Sequence, residues 1–133
     1  MYREFRGDGH VACLLAEGVG GLEAHVLAAG AGQLPGSFLR EYRGWPEQEW
    51  AEAASRLQAR GWLRGDGLLT EAGREARAGL ERRTDELAMA PWRHLGEAGC
   101  ARLLELLGPP TRAIVQGRGV PFPNPVGLPE PPP

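Results

Sequence analysis

Asp8 and His10 stand two residues apart near the start of the chain, within Arg6-Gly7-Asp8-Gly9-His10. A carboxylate that orients an imidazole makes a general base, so the pair is a candidate for proton transfer or for gripping a small ligand. The competing reading is structural: Asp8 caps a helix and His10 belongs to its first turn. His25 and His94 have no partner at metal-ligand spacing, and no metal site is expected. Cys13 and Cys100 are far apart and sit in apolar helical patterns, as buried small hydrophobes do. Of the tryptophans, Trp50 and Trp62 read as core anchors. Trp45 and Trp92 read as anchors too, but they also join Asp8 and His10 as candidates for a ligand site. The sequence contains no Gly-rich phosphate loop and no nucleophile elbow. No residue is therefore assigned to catalysis, and no cofactor is expected.

A second set of chemistry-bearing residues is cationic. All 15 basic residues are arginine, against 17 acids, for a net charge of −2. That balance excludes a uniformly basic nucleic-acid coat, so any contact with a duplex must come from a local patch. Arg40, Arg43, Arg56, Arg60 and Arg64 cluster around a helical segment at about 46 to 60 and suit phosphates. Gln48, Ser55 and Arg56 lie on its polar face and suit base edges. Glu47, Glu49 and Glu52 oppose them, since each faces a duplex carrying one negative charge per roughly 1.7 Å of axis. The bland alternative is a packing scaffold whose arginines pair with nearby acids.

The elements that must position these residues are mostly helical. Ala, Leu, Arg and Glu, the good helix formers, dominate a chain with few β-branched residues. Helices are expected at 10 to 17 with Asp8 as cap, at 22 to 29, from Pro35 to Gly44, and at 46 to 60. Leu22, Val26 and Ala29 share one face, with Leu27 flanking it. Trp50, Ala53, Ala54 and Leu57 form the apolar face of the last of these helices. Trp62-Leu63-Arg64-Gly65-Asp66-Gly67-Leu68-Leu69 reads as a tight β-hairpin, two apolar pairs around a Gly-Asp-Gly turn. Thr70 then caps a long helix to about 88 with Ala76, Leu80, Thr84 and Leu87 in a stripe. Pro91 is expected to end it. A further helix at 95 to 107 stops at Pro109-Pro110, leaving a turn at 111 to 115. Seven of the twelve prolines follow Gly117, so 117 to 133 reads as an extended, mobile tail with Phe122 as its anchor.

The order helix, short helix, helix, tight hairpin, long helix is that of a winged helix, in which the helix before the hairpin enters the major groove. The run from Ser55 through Arg56-Leu57-Gln58-Ala59-Arg60-Gly61-Trp62-Leu63, followed by Leu69-Thr70-Glu71-Ala72-Gly73-Arg74, resembles the recognition helix, wing and long helix of MarR proteins. Arg6-Gly7-Asp8-Gly9-His10-Val11-Ala12, Gly44-Trp45-Pro46, Ala90-Pro91-Trp92 and Pro123-Asn124-Pro125 are similar to the C-terminal portion of the SalK-like helix-turn-helix family of actinobacteria. Members of that family generally carry an additional N-terminal half.

The resemblance implies a mainly α fold: a winged helix-turn-helix at 1 to 116 with a short two-stranded wing and C-terminal helices, then a Pro-rich tail at 117 to 133. The MarR-like part implies a DNA-binding transcriptional regulator with a small molecule as a second partner, acting as a homodimer; the SalK-like part implies a helix-turn-helix label and no biochemical activity of its own. The alternative is a ligand-binding or biosynthetic accessory protein that keeps the fold without the DNA contact. Neither a signal peptide nor a transmembrane run is visible, so the expected setting is the cytoplasm, with no membrane partner.

Overall fold

The computed structural model describes residues 2–124 and 126. Five helices follow in order: α1 (Tyr2–Ala16), α2 (Gly21–Gly30), α3 (Gly36–Arg43), α4 (Glu47–Ala59) and α5 (Glu71–Gln116). α1 lies along α5, while α2 packs on both α3 and α4.

The first helix begins eight residues before its expected start, so Asp8 lies within the helix and caps nothing. Two glycines should weaken such a helix. Tertiary contacts hold it instead. Gly9 lets α1 approach α5, where a Cβ at position 9 would lie 3.3 Å from the Leu87 Cβ. Arg6 reaches Glu81 and Asp85 at 2.9 Å each. His10 meets Thr84 at 3.0 Å.

α2, α3 and α4 form a three-helix unit around the turn at 44–46. Gly44 adopts φ 69° and ψ 27°, the left-handed conformation that suits a residue without a Cβ. Its neighbour Trp45 donates its backbone N–H to the Arg40 carbonyl at 2.9 Å. Pro35 and Pro46 occupy the N-cap positions of α3 and α4, one residue before the first helical position. The core holds Cys13, Leu14, Val26, Leu27, Ala53, Leu57 and Leu80, with Leu63 and Leu69 from the following turn. Trp50, Ala54 and Trp62 pack against it partly exposed. Leu27, expected only to flank the α2 face, is among its most buried residues.

The hairpin is a turn closed by one antiparallel bridge, Leu63 opposite Leu69; no strand forms among the described residues. Arg64 donates to the Leu68 carbonyl at 2.8 Å and Thr70 to that of Trp62 at 3.0 Å. The Asp66 carboxylate accepts from the Leu68 N–H at 3.1 Å, which shapes the tip. With so few residues on each side, a regular ladder cannot extend beyond this bridge. Leu69 also donates to the Gly30 carbonyl at 3.2 Å, pinning the turn to the end of α2.

Thr70 caps α5 as expected, its hydroxyl accepting from the Gly73 N–H at 3.0 Å. Two expected breaks do not occur: Pro91 and the Pro109-Pro110 pair all lie inside α5. The carbonyls four residues earlier belong to exposed Leu87, Glu105 and Leu106, where water can take the lost hydrogen bonds. The real break is Gly96, at φ 71° and ψ 169°, a combination only glycine enters readily. It divides α5 into arms at 71–95 and 97–116, and the expected turn at 111 to 115 is helical. In the expected stripe Leu80 and Thr84 are buried, but Leu87 is exposed and Ala88 takes the inner position. Leu103 lies outside the core.

Beyond α5, residues 117–124 and 126 contain no regular element. The anchor is Asn124, 4% exposed, rather than Phe122. Its side-chain carbonyl accepts from the Val126 N–H at 3.2 Å. The rest of the tail, 127–133, lies outside the described residues. No single helix is long and apolar enough to cross a membrane among the described residues.

Candidate nucleic-acid interface and adjoining cleft

α4 leaves one face open. Gln48, Glu52, Ser55, Arg56 and Ala59 are exposed along it, opposite the buried Ala53 and Leu57. Each arginine around this face already has an acceptor or a neighbour within the chain. Arg40 pairs with Glu47 at 3.2 Å and Arg64 with Asp66 at 2.6 Å. Arg60 donates to the carbonyls of Gly18 and Glu17 at 3.0 and 2.9 Å, and its guanidinium stacks 3.8 Å from the Trp62 ring centroid. Gln48 donates to Glu52 at 3.1 Å, one turn along the helix. Arg43 lines a cleft beside α3.

Arg56 has the most constrained position. Its Nε donates to the Glu23 carboxylate at 2.8 Å, and that side chain is only 10% exposed. The other Glu23 oxygen accepts from the Gly20 N–H at 2.7 Å, closing the first turn of α2. Burial acts to raise the carboxyl's pKa, but the Gly20 N–H and the Arg56 guanidinium outweigh it and hold the group below its ordinary 4.5. Glu23 was not legible as a site residue, because its partner lies 33 positions away.

Removing the guanidinium in Arg56→Ala should therefore cost about 1–3 kcal/mol of stability through the stranded carboxylate. A folded pKa below the unfolded one contributes stability that is present above the unfolded value and lost as pH falls through the folded value. Glu23→Gln should flatten the stability–pH curve just below pH 4.5, where this carboxylate would otherwise take up its proton on unfolding. Urea melts across that acid range check both; an unchanged slope would disprove the role given to the pair.

The cleft beside α3 encloses about 540 Å³ between α1, α2, α3 and α5. His10 lines it, but Asp8 does not. Residues two apart on a helix are separated by about 200° of rotation, so Asp8 and His10 face different ways and form no dyad. His10 bonds to Thr84 instead. The buried Thr84 hydroxyl gives its proton to the Leu80 carbonyl at 2.8 Å, so it accepts from His10, and Nδ1 carries the imidazole proton.

His25, set aside in the sequence as a lone histidine, also lines the cleft. The Trp45 indole N–H donates to its Nδ1 at 3.3 Å, linking the α3–α4 turn to the cleft wall. Burial, and then the Arg43 charge, lower the His25 pKa and keep the ring neutral, as an acceptor must be. Trp92 stands apart from the cleft, its carbonyl 4.0 Å from the Cys100 sulfur. No group of three or more His, Cys, Asp or Glu side chains gathers to hold a metal among the described residues.

A sequence family described as a helix-turn-helix family matches residues 1–121. The chain belongs to that helix-turn-helix family. The match takes in all five helices, so the family covers the whole helical part and not the α3–α4 pair alone. No curated protein and no solved structure gives a match.

Proposed function

We propose that this helix-turn-helix chain is a DNA-binding transcriptional regulator of the MarR-like, SalK-like kind. The observation that carries this reading is the exposed polar face of α4, which begins directly after the Gly44 turn and is rooted in the core by Leu57. Gln48, Ser55 and Arg56 offer donors and acceptors for base edges. Arg40, Arg60 and Arg64 flank them as phosphate partners. Each must exchange an internal acceptor for a phosphate, which keeps affinity modest.

A second copy of the chain is the natural cover for the 97–116 arm of α5, where Leu104, Leu106, Leu107 and Ile114 are half or more exposed. A homodimer would also supply two α4 helices for two half-sites.

Binding should be led by phosphate contacts, with log affinity falling against log salt by about 0.9 per neutralised phosphate. Arg64→Ala should weaken binding to all sequences alike, whereas Gln48→Ala should relax preference at one position. Fluorescence anisotropy on DNA from the gene's own upstream region, with sedimentation to count protomers, measures these effects. Absence of binding at tens of micromolar in low salt would defeat the regulator reading.

One observation favours a second reading, an accessory protein that keeps the fold without the DNA contact. Glu47, Glu49 and Glu52 gather on the first half of α4, and Arg40, Arg56 and Arg64 are already neutralised by Glu47, Glu23 and Asp66.

A further inference from the structure

We infer that Glu23 positions Arg56 to read a guanine: it holds Nε of the guanidinium and leaves Nη1 and Nη2 to donate to O6 and N7 in the major groove. The inference rests on the reading of α4 as the helix that faces DNA. The placement of donors along α4 is the first reason. Glu47, Glu49 and Glu52 occupy its first half, so Arg56 is the first guanidinium on its exposed face. Its side chain is 56% exposed although Nε donates to Glu23 at 2.8 Å. Among the described residues no acceptor meets its two terminal nitrogens. Those nitrogens form a pair of parallel donors, and guanine alone among the bases presents two acceptors, O6 and N7, on its major-groove edge. A lysine ammonium is a point charge with no second edge by which it could be held.

The fixing of Glu23 is the second reason. Glu47 and Asp66, the acids that pair with Arg40 and Arg64, are themselves exposed, and such pairs yield readily to water. The Glu23 side chain is 10% exposed and is tied to the start of α2 by the Gly20 N–H at 2.7 Å. One oxygen serves the cap of α2 and the other serves α4. A free arginine side chain loses rotamer freedom when it docks, and one held beforehand loses less. Charge points the same way. Arg56 and Glu23 together carry no net charge, so the pair attracts phosphate weakly, whereas a neutral base edge calls for aimed donors. Arg56 therefore governs which sequence is bound and adds little to the salt dependence.

Selection by the full chain from a pool of duplexes with a randomised centre, followed by sequencing of those retained, tests the pair. The parent protein should fix a guanine at one position or more. Arg56→Gln and Arg56→Lys should each make that position degenerate and leave the others as they were. Glu23→Gln has one carbonyl oxygen for two donors. It should lower the preference for that guanine about tenfold, the scale of one bidentate contact. Its affinity for a duplex of unrelated sequence should stay level or rise with the added positive charge. 7-Deazaguanine at the position lacks the N7 acceptor; it should weaken binding by the parent and leave Glu23→Gln nearly unchanged. Melting curves set a temperature at which every variant is folded, and Arg56→Lys keeps a positive charge beside Glu23. An unchanged guanine preference in Glu23→Gln, even with tighter binding to all sequences, would make Glu23 a restraint and overturn the inference. An unchanged preference in Arg56→Gln would overturn it too, and both results leave the regulator reading standing. Failure of the parent to bind any duplex of the pool at tens of micromolar in low salt would instead defeat that reading, and this inference with it.

Discussion

Replacing Leu57 with alanine is expected to lower the unfolding free energy by about 2–5 kcal/mol. Leu57 is 0% exposed and sits where α4 meets α2, and the following turn and the start of α5 pack around the same cluster. Truncation removes contacts from several elements at once, and helices and a capped turn have little freedom to collapse into the void. Domains of this kind are stable by only about 5–15 kcal/mol, so the loss is a large share of the total. It also falls on the helix that presents Gln48, Ser55 and Arg56. A chemical-denaturation midpoint close to that of the parent protein would show that the buried face of α4 has been assigned wrongly.

The second large effect is expected at Gly73, where the sign matters more than the size. In an ordinary helix, glycine to alanine stabilises by up to about 1 kcal/mol. Here a Cβ would lie 2.0 Å from the Trp62 carbonyl oxygen and 2.9 Å from its carbon. Those are backbone atoms, and the same carbonyl accepts the Thr70 N–H at 3.0 Å, so it cannot move aside without loosening the cap of α5. Gly73→Ala should therefore destabilise by about 3 kcal/mol or more. Gly79→Ala, on the same helix, meets only the end of the Arg82 side chain at 3.7 Å and should follow the ordinary rule with a small gain. Thermal or urea melts of the two variants side by side decide the matter. Equal effects of the same sign would mean that the first turn of α5 does not press against Trp62.

These two positions also show how far local pattern reaches. Leu57 was legible in advance, because Trp50, Ala53, Ala54 and Leu57 recur at helical spacing, and that period survives any tertiary arrangement. The same holds for the Thr70 cap and the Gly44 stop, which act within one turn of their own helix. The role of Gly73 was not legible: it depends on a carbonyl that only the folded turn brings beneath it. The proline breaks failed for a related reason. Proline forbids one backbone bond, and an exposed helix can give that bond to water, whereas Gly96 offers a backbone state that other residues avoid.

By itself the sequence determined the mainly helical class, the α2–α3–α4 order with its glycine turn, and the exposed polar face of α4. Each follows from composition, period or capping within a few residues. Tertiary structure alone decided the length of α1, which rests on Arg6 and His10 meeting α5 some seventy positions later. It separated Asp8 from His10, since both were read as neighbours in a string but project from a helix in different directions. It committed Arg56 to Glu23 and joined Trp45 to His25. And it gathered Arg3, Arg6, His10, His25, Arg43 and Arg77 from four helices around one cleft. Charge and hydrogen bonding act through space over a few ångströms, so residues far apart in the chain carry no mark of such a meeting until the helices pack.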